Sequence, residues 1–296
     1  TTLFRSPAYR EDEFEEVLES CEHLVFNSFS QLECFGERAA KAGKSVGIRV
    51  NPECSTQGEH AIYDPCAPGS RLGILVSEFP ETLPSYVEGL HFHTLCEQNA
   101  DALEITLKAV EEKFGKWMKQ LKWVNFGGGH HITRADYDRE LLISCVRRIQ
   151  DTYNVQVYLE PGEAVALNAG HLITTVEDIV HNDIAVLDVS AACHMPDVIE
   201  MPYRPPLFDS GEAKEKEYTY LLGGPTCLAG DVIGSYSFDQ PLKVGDRLTF
   251  GDMAIYTTVK NNTFNGMRLP DIVWERESRE CEIVKSFGYE DFKCRL

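Results

Sequence analysis

A run of three glycines in the middle of the chain is the first feature that could do chemistry. Gly127, Gly128 and Gly129 directly follow the apolar segment 122–126, and this pattern predicts a buried parallel strand that ends in a loop. Without side chains, the backbone N–H groups of such a loop can approach a small anion closely, and positive φ angles cost little. The run therefore indicates either a cradle for an anion such as phosphate or a plain flexible turn.

His91 and His93 stand two residues apart at the end of another predicted strand. Side chains at this spacing share one face of a strand, so both imidazoles can point into one site. The pair is also a pattern of metal ligation, and a zinc site would be conceivable with the other candidate histidines, which are His130, His131 and His194. A metal-dependent hydrolase built on His91 and His93 stays open as an alternative, but we expect a packing role for the pair and no resident metal.

Three further residues combine a reactive side chain with a turn or loop. Glu160 precedes a Pro-Gly turn at the end of a predicted strand, where a carboxylate can act as a base or pair with a buried cationic nitrogen. Cys227 lies in the glycine-flanked turn 223–231, where a thiol could act as an acid or nucleophile, although a lone cysteine is more often structural. Tyr256, ahead of a polar loop, could donate to a phosphate or belong to the core.

These residues lie at the ends of segments that alternate between strand and helix. The spacing predicts strands at 23–27, 45–50, 87–93, 122–126 and 156–162, separated by helices at 12–21, 29–42, 100–121 and 135–153. Ser28 is placed to cap the second of these helices. After about Leu167, strands follow one another with only turns between them, at 171–180, 184–190, 217–222, 242–250, 254–258 and 281–286.

The alternation predicts an α/β protein with a parallel sheet or barrel and right-handed crossovers. We expect residues 1–167 to form a partial (β/α)8 TIM-like barrel and residues 168–296 to form a mostly antiparallel β domain. Five strands are too few to close an eight-stranded barrel, and residues 1–5 carry neither a strand signal nor an initiator methionine. The pattern therefore predicts that the first strands of the barrel precede this chain.

The composition of the chain indicates which kinds of binding partner and which cellular compartment to expect. A net charge of −19 argues against nucleic acid, which requires a basic face, and would favour cationic substrates. No apolar run approaches the roughly 20 residues needed to span a bilayer, so we expect no membrane partner. The ten cysteines include no CxxC pair, which indicates reduced thiols and a cytoplasmic location.

Taken in order, His93, the glycine run, Glu160 and the strings GGPTC and AIYT…TFNG resemble the fold-type III pyridoxal-phosphate-dependent decarboxylases. This family includes ornithine, arginine and diaminopimelate decarboxylases. Over residues 6–296 the strings GLHFHTLCEQ, FGGGHHIT, EPGEA, AACHMPDVIEMPYRP and GGPTCLAGDVIGSY are most similar to its carboxynorspermidine decarboxylase branch. The resemblance implies decarboxylation of carboxynorspermidine or carboxyspermidine to norspermidine or spermidine, in polyamine biosynthesis.

The resemblance also implies how pyridoxal 5'-phosphate would be bound. His93 would stack on the pyridine ring, and the three glycines would hold the phosphate through backbone N–H groups. Glu160 would pair with the pyridine nitrogen and keep it protonated, so that the ring can accept the electrons released as CO2 leaves. Tyr256 would donate to the phosphate.

Catalysis and substrate binding are implied in the same way. Cys227 would reach across the interface of a homodimer with shared active sites and help to protonate the carbanion at Cα. The ammonium groups of a polyamine-type substrate require acids, and the candidate substrate-binding residues are Asp197, Glu200, Glu163, Asp231 and Arg71. Asp197 and Glu200 could instead belong to a solvated loop.

Two departures from the family pattern affect these expectations. Ornithine and diaminopimelate decarboxylases have EPGR where this chain has Glu163, so an arginine–phosphate contact is lost and Glu163 could face the substrate. The Schiff-base lysine of the family lies on an early barrel strand, whereas lysines here begin at Lys41. We therefore expect the chain as written to lack that lysine and to be inactive alone, and a non-catalytic binding or regulatory relative stays open as an alternative.

Overall fold

A computed structural model describes residues 2–58 and 61–296 of the chain. The chain divides into two compact units, one ending at Val165 and the other beginning at Ala166. Each unit encloses its own cluster of buried apolar side chains, so each is described separately.

The first unit is built on six parallel strands that pair in the order in which they occur. They are β1 (Leu3–Arg5), β2 (His23–Phe26), β3 (Ser45–Arg49), β4 (Val87–His91), β5 (Trp123–Asn125) and β6 (Gln156–Tyr158). The helices of this unit are α1 (Phe14–Ser20), α2 (Phe29–Lys41), α3 (Ala100–Met118), α4 (Arg139–Tyr153) and α5 (Gly162–Ala166).

Helix signals in the sequence predicted α1 to α4 of the first unit, whereas α5 was not predicted. The Ser28 hydroxyl accepts a hydrogen bond from the backbone N–H of Gln31 and thereby caps α2, as predicted. Helix 100–121 was also predicted, and the apolar residues that recur along α3 at helical spacing are buried, including Leu103, Leu107 and Phe114. Burying such a stripe against the sheet is the main source of helix stability in a protein of this size.

The parallel sheet curls, so that side chains at the ends of its two edge strands come into contact. Arg5 at the end of β1 donates from Nε to Glu160 Oε2, directly after β6, at 2.8 Å. The ring centroids of His23 on β2 and Tyr158 on β6 lie 5.5 Å apart although three strands separate β2 from β6 in the pairing order. The sheet is therefore a half-barrel with a concave inner face.

The first strand was not predicted. Leu3, Phe4 and Arg5 pair in parallel register with His23, Leu24 and Val25, which gives six strands where the sequence predicted five. Three residues are too few to show a hydrophobic period, so the signal was absent even though Arg5 reaches the site.

One large side chain fills much of the inner face of the half-barrel. A Cβ atom added to Gly47 on β3 would lie 2.3 Å from the Trp123 ring, and one added to Gly89 on β4 would lie 2.0 Å from it. The indole therefore occupies the space that side chains at both glycines would need. Its Nε1–H donates to the Ser45 hydroxyl at 2.8 Å, which fixes the ring orientation.

Gly89→Ala should therefore be strongly destabilising. Because the added methyl group would overlap a buried indole, we expect the free energy of unfolding in urea to fall by about 3 kcal/mol. Gly230→Ala is the matched control, since a Cβ atom there meets no atom within 4 Å. Replacing Trp123 by Leu in the Gly89→Ala background should restore part of the loss. The packing would be contradicted if the unfolding free energy of the Gly89→Ala variant lay within about 1 kcal/mol of the parent's, since one overpacked methyl group costs at least roughly that much.

The second unit contains a five-stranded and a two-stranded sheet. The five strands are β7 (Leu172–Val180), β8 (Ile184–Leu187), β9 (Tyr218–Gly223), β10 (Val232–Phe238) and β11 (Arg247–Phe250), and the two are β12 (Ile272–Glu275) and β13 (Cys281–Lys285). Pairing is antiparallel except between β8 and β9. Short helices complete the unit, namely α6 (Ala191–His194), α7 (Asp197–Glu200), α8 (Tyr256–Val259) and α9 (Tyr289–Lys293).

The predicted strand 254–258 was wrong. Ile255 has a φ of 47° and precedes α8, so Tyr256 begins a helical turn and lies on no strand. A β-branched residue with positive φ is uncommon, and alternating apolar residues gave no indication of this chain reversal. The strands β10 and β12 were not predicted. No helix in the described ranges is both long enough and apolar enough to cross a membrane.

Candidate functional site

The candidate site of the first unit centres on the carboxylate of Glu160. Arg5 donates to one carboxylate oxygen at 2.8 Å, and Asn125 Nδ2 donates to the other at 2.9 Å. These residues lie where β1, β5 and β6 end, and they help to line a cavity of about 550 Å³ together with Leu3, Phe4, Tyr158 and Leu159. The carboxyl ends of parallel strands are where ligand sites form in such folds.

Glu160 is held ionised. Burial would raise the pKa of its carboxyl group, but the contacts with His91 and Arg5 outweigh burial and hold that pKa well below its usual range. His91 Nε2 lies 3.3 Å from Glu160 Oε1, without hydrogen-bond geometry. Burial lowers the pKa of His91 to about 4, so His91 is neutral at pH 7 and Arg5 supplies the opposing charge.

His93 lies against the glycine run. The backbone N–H of Gly128 donates to His93 Nδ1 at 2.8 Å, so the neutral ring carries its hydrogen on Nε2. Burial, reinforced by the neighbouring Arg5 and Arg49, lowers the pKa of His93 to about 3. The imidazole is therefore a fixed, uncharged, flat ring at neutral pH.

The glycine run is required by close packing as well as by φ. Gly127 and Gly129 have φ angles of 70° and 81°, and a Cβ atom on Gly129 would lie 2.1 Å from the carbonyl oxygen of Leu95. A Cβ atom on Gly128 would lie 2.7 Å from the Glu160 carbonyl oxygen and 3.0 Å from His93 Cε1. The structure thus brings His93, Gly128 and Glu160 together.

The backbone N–H groups of the three glycines differ in whether they already donate a hydrogen bond within the protein. Gly127 donates to Asn125 Oδ1 at 2.8 Å and Gly128 donates to His93, whereas Gly129 N–H has no acceptor among the described residues. An anion at this loop would therefore find one N–H ready to donate. Phosphate binding by all three glycines stays a prediction.

Three polar residues of this site were not predicted. Asn125 could have been suspected, because it ends a strand directly before the glycines, and Arg49 ends β3 in the same way. Arg49 is 5% exposed, and burial together with Arg5 lowers the pKa of its guanidinium to about 10, against the opposing effect of Glu160. Arg5 gave no sequence signal. Two cations therefore accompany the Glu160 carboxylate.

A metal-dependent hydrolase would require a cluster of metal ligands at His91 and His93, and the described residues form none there. In the part of the chain that the structure describes, neither His91 nor His93 belongs to a group of three metal-ligating donors. His130 Nε2 lies 3.3 Å from the Phe126 carbonyl oxygen, and His194 accepts from the Ser190 N–H at 3.1 Å while its Nε2 lies 3.0 Å from the Arg268 carbonyl oxygen.

The remaining predicted residues of the first unit lie outside the Glu160 cavity lining. Glu163 is half-buried in the first turn of α5, with Oε2 3.8 Å from His131 Nε2. Arg71 has an exposed side chain, and its carbonyl oxygen accepts a hydrogen bond from Asn27 Nδ2 at 2.8 Å. Substrate binding by Glu163 and Arg71 stays a prediction.

In the second unit, Asp231 holds the turn that carries Cys227. The buried Asp231 carboxylate accepts from the Ser190 hydroxyl at 3.0 Å and from the Thr226 hydroxyl at 2.7 Å. The N–H groups of Ala192 and Thr226 also donate to it. Asp231 thus has an evident structural role, which leaves its predicted contact with substrate as a prediction. Cys227 is exposed.

Asp197 and Glu200 of α7 bind an ammonium group in this structure. Both contact Lys260 Nζ, and the distance to Glu200 Oε2 is 3.3 Å. Lys260 Nζ also lies 5.7 Å from the ring centroid of Tyr256, which is half exposed at the start of α8. The two predicted substrate acids therefore form one cation-binding pair.

The chain is similar to known decarboxylases in sequence. The family described as pyridoxal-dependent decarboxylase, C-terminal sheet domain, with ornithine, diaminopimelate and arginine decarboxylases, matches residues 23–254. The carboxynorspermidine/carboxyspermidine decarboxylase of Campylobacter jejuni is 47% identical over 98% of this chain and 78% of its own length. The carboxyaminopropylagmatine decarboxylase of Synechocystis is 41% identical over 98% of this chain and 76% of its own length.

Solved structures show the same relationship. The crystal structure of Campylobacter jejuni carboxynorspermidine decarboxylase complexed with norspermidine matches with a TM-score of 0.90 and 46% identity, over 99% of this chain and 80% of that one. A diaminopimelate decarboxylase matches with a TM-score of 0.79 at 18% identity, over 99% of this chain and 76% of that one, which shows the fold alone. Because the family match covers most of the chain and relatives share more than two fifths of their residues with it, the chain belongs to the pyridoxal-dependent decarboxylase family.

Proposed function

We propose that this protein decarboxylates carboxynorspermidine or carboxyspermidine and releases norspermidine or spermidine. The observation that carries the proposal is the Glu160 carboxylate, held ionised beside the cavity and next to the neutral ring of His93. The Campylobacter relative, which is named for the same two substrates, supports the choice of substrate.

The residues present fit pyridoxal phosphate. When bound, this cofactor supplies a ring that accepts the electron pair released as CO2 leaves. Glu160 would hold a proton at the ring nitrogen, and His93 would stack on the ring face. Gly128 allows its backbone to lie directly against the Glu160 carbonyl oxygen and the His93 ring, and the Gly129 N–H, which has no acceptor among the described residues, can donate to a phosphate oxygen. Tyr256 is proposed as a second phosphate donor.

Substrate recognition is assigned to acidic side chains. Asp197 and Glu200 already contact the Lys260 ammonium group, so the pair has the spacing that a polyamine ammonium needs. Glu163 is proposed as a further acid, with Arg71 and Asp231 shaping the site. Pairing these acids with amines would give selectivity, since a partly buried carboxylate such as Asp197, whose side chain is 22% exposed, is costly to leave without a cation.

We further propose a (β/α)8-type barrel for the parallel sheet and a cytoplasmic homodimer for the protein. The exposure of Cys227 and of its neighbour Leu228, which is 45% exposed, supports a role for this turn at a subunit interface. There Cys227 would deliver a proton to Cα. Cys21, Cys145 and Cys193 are buried thiols without a disulfide bond, which supports a reducing compartment.

Purified full-length protein saturated with pyridoxal phosphate tests the proposal. We expect CO2 release from carboxynorspermidine or carboxyspermidine, with the polyamine identified by chromatography. Ornithine and diaminopimelate should react about 10²-fold more slowly or worse, because they leave the acids unpaired. Carboxyaminopropylagmatine is included because it names the Synechocystis relative. Turnover of diaminopimelate or ornithine alone, or no turnover of any of these compounds, would refute the assignment.

A further inference from the structure

A second cluster of chemistry-bearing side chains lies outside the Glu160 cavity lining, around His131. This side chain is 7% exposed, and neither of its ring nitrogens has a hydrogen-bond partner within residues 2–58 and 61–296. An imidazole buried without partners is costly, and its Nε2 points at a carboxylate that is too distant for a hydrogen bond, 3.8 Å away at Glu163 Oε2.

Glu97 completes the cluster. One donor atom each from Glu97, His131 and Glu163 lie within 4.8 Å of one another. The three residues come from the loops after β4 and β5 and from the first turn of α5. Gln98 N–H donates to the Gly129 carbonyl oxygen at 2.9 Å, and His131 N–H donates to the Gln98 carbonyl oxygen at 3.4 Å, so two of these loops are already joined by backbone hydrogen bonds.

We propose that Glu97, His131 and Glu163 bind a divalent transition-metal ion. One imidazole and two carboxylates form a donor set suited to Zn²⁺ and Mn²⁺. Ligand atoms placed about 2.1 Å from a tetrahedral metal are about 3.4 Å apart, so side-chain shifts on the order of 1 Å would close the observed spacing. This departs from the sequence-based expectation of no resident metal, and it uses neither His91 nor His93.

The position of the cluster indicates what such an ion would do. His131 follows Gly129 by two residues, and Glu163 follows Glu160 by three. An ion here would join the loop that carries the glycine run to the helix that follows Glu160, and would thereby stabilise the native arrangement of both. The role we infer is structural, and it stands whether or not the protein is a decarboxylase.

Mn²⁺ binding by the full-length protein tests the site. Mn²⁺ disfavours thiolates, so cysteine side chains do not compete, and the electron paramagnetic resonance signal of free Mn²⁺ reports binding directly. After chelator treatment and dialysis, in excess Mg²⁺, we expect one tight Mn²⁺ per chain and a raised melting temperature. Zn²⁺ should displace this Mn²⁺.

Three variants locate the ion. His131→Gln and Glu163→Gln, which conserve size, should weaken binding by more than about 100-fold, and Glu97→Gln by about 10-fold. His181→Asn and Glu104→Gln remove an exposed histidine and an exposed acid elsewhere and should leave the tight site unchanged. If His131→Gln fails to fold, the exposed Glu97→Gln decides the question. Absence of a tight site, or equal binding by Glu97→Gln and the parent, overturns the proposal and leaves His131 in a plain ion pair with the two acids.

Discussion

Replacing Glu160 by Gln is expected to lower the rate of CO2 release by about 10²-fold or more. The amide is close in size and can still accept from Arg5, but it carries no charge and cannot hold a proton at the ring nitrogen of the cofactor. Steady-state CO2 release at saturating substrate measures the effect.

Two measurements separate this role from a structural one. Cofactor absorbance and the melting temperature should show that the Glu160→Gln variant still binds pyridoxal phosphate and folds. Glu104→Gln, which removes one negative charge from the exposed face of α3, should keep the rate of the parent. If the Glu160→Gln variant releases CO2 at a rate within about threefold of the parent's, Glu160 has no part in the proposed chemistry. Loss of one charged catalytic contact predicts a much larger decrease in rate.

The second large expected effect is a loss of folding stability at acidic pH. Burial lowers the pKa values of His91, His93 and His130 to about 4, 3 and 4, against about 6.5 in an unfolded chain. Between these limits the unfolded state binds protons that the native state does not bind, so stability is fully present above about pH 6.5 and falls as the pH falls. Each histidine should remove on the order of 2 kcal/mol between pH 7.5 and pH 5.

Urea unfolding at pH 7.5, 6 and 5 checks this expectation. His130→Asn, which does not titrate, should lose clearly less stability than the parent over this range. His181→Asn serves as the control, because His181 is exposed and its left-handed φ of 55° suits asparagine. Parallel pH profiles for the His130→Asn variant and the parent would show that burial of His130 does not govern the acid response.

Much of the first unit could be predicted because its signals are local. Apolar residues at helical spacing placed α3 and a serine placed the start of α2, while His93, the glycines and Glu160 each lie at the end of a predicted parallel strand. The carboxyl ends of parallel strands share one edge of a sheet, which is consistent with the convergence of these residues that the family resemblance implied.

The partners of these residues could not be predicted, because they depend on contacts distant in sequence. Arg5 reaches Glu160 across 155 positions from a strand of three residues. Lys260 pairs with Asp197 across 63 positions, and neither segment carries a sign of the other. The reversal at Ile255 depends on one backbone angle, which alternation of apolar residues does not report.

The indole of Trp123 has a consequence for how this half-barrel can vary among relatives. The Trp123 ring occupies the space of side chains at two neighbouring positions, 47 and 89, so a smaller residue at position 123 would leave a void unless those two positions became larger at the same time. We expect positions 47, 89 and 123 to change together among homologues. Where position 123 is smaller than tryptophan, positions 47 and 89 should carry side chains larger than glycine.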